Sequence, residues 1–303
     1  MKACAMSELN ERFCGPEGLP LSVKRYTYRK DEFSQIVDIE RERLRRSLQP
    51  IGIMSNGIYN DGNLHTSSVS EDVGEYIIFS IDTATHDRDF LDLNTKPNRS
   101  VRTIFDQTLQ SLTVKMVLQE HEEISATVNM AIGESLTSMG LKRAFFHYRS
   151  TTIPIANGSK EPDAAWSPIR RPRGSPRRPT VVLETAITET HAKLLRDVRR
   201  WLDPVDGLAK VVMTIKVDRR KPKVTIERWQ LDSANAEIEN VQTIEIIESS
   251  EGDNVTVYGG PLLIPFELFS LRPAEPPKEN DILIGEEDLK ALAQIVWEIQ
   301  FPS

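Results

Sequence analysis

The chain has 303 residues, of which 39% are hydrophobic and 27% are charged, and these proportions are typical of globular proteins. They exclude a wholly disordered chain, a collagen and a coiled coil. Lys and Arg number 38 against 45 Asp and Glu, so the net charge of −7 excludes a general basic surface, and any nucleic-acid site must be a local patch.

The first hundred residues are heterogeneous, and we interpret residues 1–100 as a partly ordered N-terminal appendage. The charged stretch 23–46 predicts a solvated helix near residues 37–47. The run 56–70 is dense in Asn, Gly and Ser, which predicts a loop where proteases should cut first. It is followed by EYIIFSID at 75–82, which predicts a strand.

From Arg102 to Met139 the pattern becomes helical. Apolar residues recur every four positions at Ile124, Val128 and Ile132, which places them on one face of a helix. Gly140 is a plausible end for this helix.

The rest of the chain is predicted to form mainly strands, with two helices. A helix between the second and third strands carries an apolar stripe, with Thr188 or Thr190 as its N-cap, and 286–299 forms a closing amphipathic helix. The strand–helix–strand order predicts a βαβ crossover with strands buried on both faces, and the fold class is therefore α/β. The strands are predicted at 144–149, 180–186, 209–217, 223–231, 241–247 and 255–258.

The cysteine content and the hydropathy of the chain limit the cellular compartments in which we expect the protein. Only Cys4 and Cys14 occur, which excludes a disulfide framework, and the five histidines lack the spacing of a zinc site. No stretch approaches the ~18 apolar residues of a membrane span, and the N-terminus lacks an apolar signal region. We expect an intracellular protein of the cytoplasm or nucleus with no membrane partner.

Two segments have strongly biased charge. Residues 169–178, IRRPRGSPRR, contain no acid, and their Pro and Gly prevent regular structure, so they predict an exposed cationic loop that binds nucleic acid. By contrast, residues 229–271 contain no Lys or Arg and would repel a phosphate backbone. The arginines of the loop are Arg170, Arg171, Arg173, Arg177 and Arg178.

Two carboxylates form the candidate chemical site. Asp163 precedes the cationic loop, and Glu184 ends a hydrophobic strand. If the two converge, their oxygens can hold a hard divalent cation that polarises a phosphoryl oxygen and activates a water. The alternative is that both lie at strand ends, facing solvent or paired with arginine.

Three segments carry a family resemblance: KEPDAAW at 160–166, PTVVLE at 179–184 and KLLRDVRRWL at 193–202. Together they resemble a fungal group of the PD-(D/E)XK, or restriction-endonuclease-like, superfamily. The likeness covers about residues 102–300. It implies that residues 101–303 form a nuclease-like domain, with a mixed β-sheet core flanked by helices.

The resemblance also implies roles for residues. In that superfamily an aspartate and a glutamate hold Mg²⁺ or Mn²⁺, which corresponds to Asp163 and Glu184 here. A lysine two residues after the glutamate serves the attacking water, but that position is Ala186, and Lys193 in the next helix is the nearest replacement. Glu134 resembles the acid that the first core helix contributes as a further metal ligand, although the pattern favours a solvated helix face.

Two functions remain open. The first is a divalent-metal-dependent nuclease that cleaves phosphodiester bonds in nucleic acid, with weak activity because of Ala186. The second is a catalytically inactive nuclease-like fold serving as a protein-interaction module, which would explain both Ala186 and the acidic stretch 229–271. A hydrolase with paired carboxylates is disfavoured, since the sequence has no GxSxG nucleophile motif.

Overall fold

The computed structural model describes residues 16–48, 73–92, 94–149, 151–205, 209–232, 234, 236–248 and 254–301. The predicted protease-sensitive loop at 56–70 lies outside the described residues. Among the helices within these ranges, none combines the length and apolarity needed to cross a membrane.

Strands and helices are interspersed along the described chain, after a single 3₁₀ turn at Pro16–Gly18. The strands are β1 (Arg25–Thr27), β2 (Tyr76–Ser80), β3 (Val101–Asp106), β4 (Ser111–Met116), β5 (Phe145–Tyr148), β6 (Ile153–Ile155), β7 (Gly158–Lys160), β8 (Ala164–Pro168), β9 (Val181–Ala186), β10 (Val211–Val217), β11 (Lys223–Leu231), β12 (Ile238–Glu248), β13 (Val255–Tyr258), β14 (Leu262–Ile264) and β15 (Ile282–Ile284). The helices are α1 (Lys30–Leu48), α2 (Thr83–Phe90), α3 (Gln119–Ser138), α4 (His191–Leu202), α5 (Phe266–Ser270) and α6 (Glu286–Gln300).

Within the described ranges, one sheet has six strands in the order β1-β2-β4-β3-β7-β6. Strands β1 and β2 are parallel, whereas β2 pairs antiparallel with β4. Phe33 and Val37 of α1 and Phe79 of β2 are fully buried in the main hydrophobic core, together with residues beyond position 100. A boundary at residue 100 would therefore divide a continuous sheet and its core, in contrast to the predicted N-terminal appendage.

Part of the region predicted to be helical is a hairpin. Residues 101–116 form β3 and β4, which pair antiparallel and are joined by a four-residue turn ending at Gln110, whose φ is 48°. Residues of β3 such as Val101, Thr103 and Phe105 are β-branched or aromatic, and they favour a strand. The apolar residues spaced four apart lie only in α3, and the helix is restricted to that segment.

The other large sheet has seven strands in the described ranges, in the order β13-β12-β11-β10-β9-β8-β5. Strands β9 and β10 are parallel and are joined by α4, which confirms the predicted crossover. Val181 and Leu183 of β9 pack in the main core, whereas Val182 packs with Val198 and Trp201 of α4. The prediction that these strands are buried on both faces is therefore confirmed.

The pairing of β8 with β9 determines where the candidate residues lie. The two strands are antiparallel, and Ala164 is the register partner of Leu183. Asp163 and Glu184 are the next residues along this register, so both lie at the same end of the strand pair. The segment 169–178 joins the opposite ends of these strands.

Candidate active site

The first motif carboxylate, Asp163, is bonded to a lysine from the other large sheet. Lys115 of β4 places its Nζ 2.7 Å from Asp163 Oδ2 and also donates to the Thr185 carbonyl. The backbone N–H of Thr185 donates to the same Asp163 oxygen at 2.7 Å. Burial opposes ionisation of Asp163, but the charge of Lys115 outweighs it and holds the pKa of Asp163 at about 2.

The second motif carboxylate, Glu184, lies on the α4 side of β9. Its Oε1 accepts a hydrogen bond from the Trp201 indole at 2.5 Å, and Lys160 Nζ of β7 lies 3.1 Å away. Burial raises the pKa of Glu184, and the Lys160 charge only partly opposes this. The charges of Asp197 and Asp163 raise the pKa of Glu184 further, which shows that the three carboxyls share one neighbourhood.

Helix α4 contributes its own ion pair. Asp197 Oδ2 lies 2.5 Å from Lys193 Nζ, one helical turn earlier, and 3.0 Å from Lys160 Nζ. Lys193, the predicted replacement for the missing lysine, thus contacts Asp197, and it is Lys160 that lies beside Glu184. Burial disfavours ionised Asp197, but the two ammonium groups overcome this and lower its pKa.

Four further buried polar residues extend this network towards β2. The Tyr76 hydroxyl donates to Glu189 Oε2 at 2.8 Å, and Lys193 Nζ lies 5.2 Å from the centre of the Tyr76 ring. Glu75 Oε2 lies 2.9 Å from His121 Nε2. We call the whole network the buried ion-pair cluster; its members are Glu75, Tyr76, Lys115, His121, Lys160, Asp163, Glu184, Glu189, Lys193 and Asp197.

The N-terminal segment covers the α4 side of this cluster. The Gly18 carbonyl accepts a hydrogen bond from Thr190 Oγ1, and Glu17 forms a bidentate ion pair with Arg200 at 2.7 and 2.9 Å. Glu184 and Lys193 are 2% and 0% exposed, respectively. A polymeric substrate therefore has no access to these groups in this conformation.

The motif carboxylates do not fit a divalent cation in this arrangement. Ammonium groups lie 2.7 Å from Asp163 Oδ2 and 3.1 Å from Glu184 Oε1, where they would repel a cation, although Asp163 Oδ1 has no hydrogen-bond partner among the described residues. These lysines also neutralise the charge that would attract a metal. Across the part of the chain that the structure describes, no three His, Cys, Asp or Glu side chains are arranged to hold a metal ion.

Glu134, the third predicted ligand, lies elsewhere. It is exposed on α3 and lines a groove together with Lys142, Phe146 and His147. In the described ranges no hydrogen bond or ion pair joins Glu134 to Asp163 or Glu184.

The arginine loop lies at the far end of β8 from the carboxylates. Strand β8 has five residues, which corresponds to about 17 Å at ~3.3 Å per residue, so the loop and the carboxylates are neighbours in sequence only. Arg171 braces the loop by donating to the carbonyls of Pro168 and Arg178. Arg170, Arg173 and Arg177 are exposed, while Arg171 and Arg178 are half-buried.

Sequence reasoning missed the lysines that bind the motif carboxylates. Lys160 is the first residue of the KEPDAAW segment, but no role was assigned to it from the sequence. No local sequence pattern shows that β7 places this lysine beside Glu184. Lys115 lay in a segment predicted to be helical, which hid its place on a strand of the other sheet. The spacing of Lys193 and Asp197 by four residues was the one visible signal of this network.

No known protein-family profile matches the chain. No curated protein matches it either. Among solved structures, the chain is similar to a proposed nuclease of the DUF820 family from Anabaena variabilis. The two share 12% sequence identity with a TM-score of 0.37, over 65% of this chain and 93% of the other.

Proposed function

We propose that this chain is a catalytically inactive, nuclease-like protein of the restriction-endonuclease-like class that serves as a protein-interaction module. One observation carries the proposal: the carboxylates in the Asp163 and Glu184 positions are each engaged by a buried lysine. A lysine ammonium group contacts one oxygen of each carboxylate, where a catalytic metal would bind, and Ala186 lacks the ammonium group that serves the attacking water. The former catalytic centre then acts as part of the core.

The exposed arginines supply the interaction surface in this proposal. Arg170, Arg173 and Arg177 are exposed on a loop that Arg171 braces, and this loop follows β8, which lies four strands away from the acidic strand β12 in the sheet. The net charge of −7 opposes binding of a long polyanion, which favours a short acidic protein segment over nucleic acid as the partner.

A second function is favoured by one distance. Lys160 Nζ lies 3.1 Å from Glu184 Oε1, where it can take the place of the lysine that Ala186 lacks. In this alternative the chain is a weak Mg²⁺- or Mn²⁺-dependent nuclease. It requires the N-terminal segment to move and the lysines to release the carboxylates.

A cleavage assay separates the two functions. Wild type, Glu184→Gln and Lys160→Met are incubated with single- and double-stranded DNA and RNA in Mg²⁺ or Mn²⁺. Lys290→Met, at a half-exposed position of α6, is the matched control. We expect no cleavage by any of the four and no change of wild-type melting temperature with metal. Cleavage that Glu184→Gln and Lys160→Met abolish, and that Lys290→Met retains, would establish the nuclease instead.

The partner is tested by binding of a fluorescent oligoglutamate peptide and of a DNA oligonucleotide. Replacing Arg170, Arg173 and Arg177 by Ser should weaken peptide binding about ten-fold and reduce its dependence on salt, since exposed charges are screened. Arg220→Ser, at an exposed turn, is the control. Tighter binding of DNA than of the peptide would overturn the choice of partner.

A further inference from the structure

A cavity of about 390 Å³ opens beside the buried ion-pair cluster. It lies between the segment that precedes β1, the start of β2 and the loop that follows β9. Its volume is at the small end of the ~300–1,000 Å³ range of ligand pockets. Much of its wall is apolar, formed by Leu19, Val23, Val73 and Ile77.

Glu189 is a cluster carboxyl that lines this cavity with one oxygen unsatisfied. The residue is 6% exposed, and its Oε2 accepts the hydrogen bond from the Tyr76 hydroxyl. Its Oε1 is buried and has no hydrogen-bond partner among the described residues. A buried polar atom without a partner is costly, so Oε1 is a ready acceptor for a ligand.

The loop that carries Glu189 is held in place on both sides. The Thr188 hydroxyl accepts a hydrogen bond from the backbone N–H of Glu75 at 2.9 Å. Thr190 caps α4 by accepting from the backbone N–H of Lys193. The position of Glu189 at the cavity is therefore fixed before any ligand arrives.

Carboxyls outnumber lysines in the buried ion-pair cluster. Among its described members, three lysines face five carboxyls, and His121 Nε2 lies 2.9 Å from one of these, Glu75. The carboxyls thus exceed the lysines by two. Glu184 and Glu189 are the pair whose pKa burial raises, and Glu184 is enclosed by Trp201 and Lys160. Glu189 is the excess carboxyl that reaches the cavity.

We propose that this cavity binds a small organic ammonium compound, whose ammonium group donates to Glu189 Oε1 and whose apolar body packs against Leu19 and Ile77. A bound monocation supplies the positive charge that an ionised Glu189 carboxylate lacks. The cavity also contains Glu40, but Lys24 and Tyr26 already engage that carboxylate, at 3.0 and 2.8 Å. Glu189 therefore provides the free acceptor.

Arg219 is exposed at the edge of the cavity, where it should distinguish two kinds of ammonium compound. An alkylamine uses the Glu189 contact alone. An α-amino acid has a carboxylate as well, and this group can pair with the Arg219 guanidinium. Arg219→Ala should therefore weaken binding of an amino acid and leave binding of an alkylamine unchanged.

The test is calorimetric titration of the full chain with isoamylamine, leucine and isoamyl alcohol, which share one branched body. We expect the alcohol to bind at least about ten-fold more weakly than isoamylamine, since it lacks the charged donor. Glu189→Gln should lose a similar factor for both amines, whereas Glu134→Gln, at an exposed position of α3 outside the cavity, should bind as wild type does. Equal affinities of wild type and Glu189→Gln for isoamylamine, or equal losses in the two variants, would overturn the proposal.

A second measurement needs no variant. Burial raises the pKa of Glu189 to about 8, so the carboxyl is mostly protonated at pH 7 and must release its proton to bind an ammonium group. Titrations in two buffers of different ionisation enthalpy should show release of close to one proton per isoamylamine bound. No binding at 10 mM amine, or binding without proton release, would contradict the proposed contact.

Discussion

Glu189 is a carboxyl whose surroundings favour its neutral form, and this couples the stability of the fold to pH. Burial is the main cause, and Asp197 and Glu75 add to it, while Lys193 and Lys115 oppose it. The native pKa of about 8 lies above the ordinary value of 4.5 that the unfolded chain has. Between these values the native state keeps a proton that the unfolded state has released.

We therefore predict that the free energy of unfolding decreases as pH rises from about 5 to 8. The slope contributed by one such group is at most about 1.4 kcal/mol per pH unit. Glu189→Gln, which mimics the protonated carboxyl, should reduce this slope when urea unfolding is measured across the range. Glu134→Gln, at an exposed position, should not, and an unchanged slope in Glu189→Gln would contradict the prediction.

At the scale of single residues, the sequence identified the motif carboxylates but not their surroundings. Asp163 and Glu184 could be selected because each has a local signal, the PD pair and the end of a hydrophobic strand. Their partners Lys115 and Lys160 belong to strands of the other sheet, and no local pattern reports a contact across 48 residues of sequence, as from Lys115 to Asp163. Burial likewise depends on what covers a residue in three dimensions.

Strand β4 connects the two large sheets through one ion pair. Lys115 of this strand reaches Asp163 and the Thr185 carbonyl in the seven-stranded sheet. Lys115→Met would leave Asp163 buried without its cation, and breaking a buried pair in this way typically costs about 3–5 kcal/mol. We predict a loss of that size in urea unfolding.

The double variant Lys115→Met with Asp163→Asn removes both charges, and it should recover much of the loss. Lys290→Met, at a half-exposed position of α6, should change stability by no more than ~0.5 kcal/mol. A Lys115→Met variant as stable as Lys290→Met would show that the buried pair contributes nothing.

At the scale of elements, helices and strands with a strong hydrophobic pattern were predicted well, and those with a mixed pattern were not. The helix α4 begins after one of its two predicted N-caps, Thr190, and the strands β9, β10 and β11 were predicted to within two residues, because each has a clear apolar pattern. The charged helix α1 extends over residues 30–48 and not only 37–47, since its few buried residues, Phe33 among them, anchor a mostly polar sequence. The short strands β6 and β7 have too few residues to show a period.

At the scale of the whole molecule, the described residues before position 100 complete the fold. Strand β2 pairs with β4, and Phe33 and Phe79 pack in the main core. We predict that a fragment of residues 101–303 fails to form a cooperatively unfolding structure, because its six-stranded sheet loses β1 and β2 and the core loses α1. Circular dichroism during heating tests this, with the full chain as control. A sharp transition of the fragment near that of the full chain would support a separate nuclease-like domain instead.

The sharing of acceptors within the buried ion-pair cluster restricts how this protein can evolve. Asp197 serves both Lys160 and Lys193, and Lys160 serves both Asp197 and Glu184. A single mutation to an apolar residue leaves a charge buried without a partner, at a cost comparable to much of the ~5–15 kcal/mol that stabilises a typical domain. Descendants should therefore replace these residues in concert, or pass through neutral amides such as Gln and Asn. We therefore expect related sequences to differ jointly at positions 160, 184 and 197.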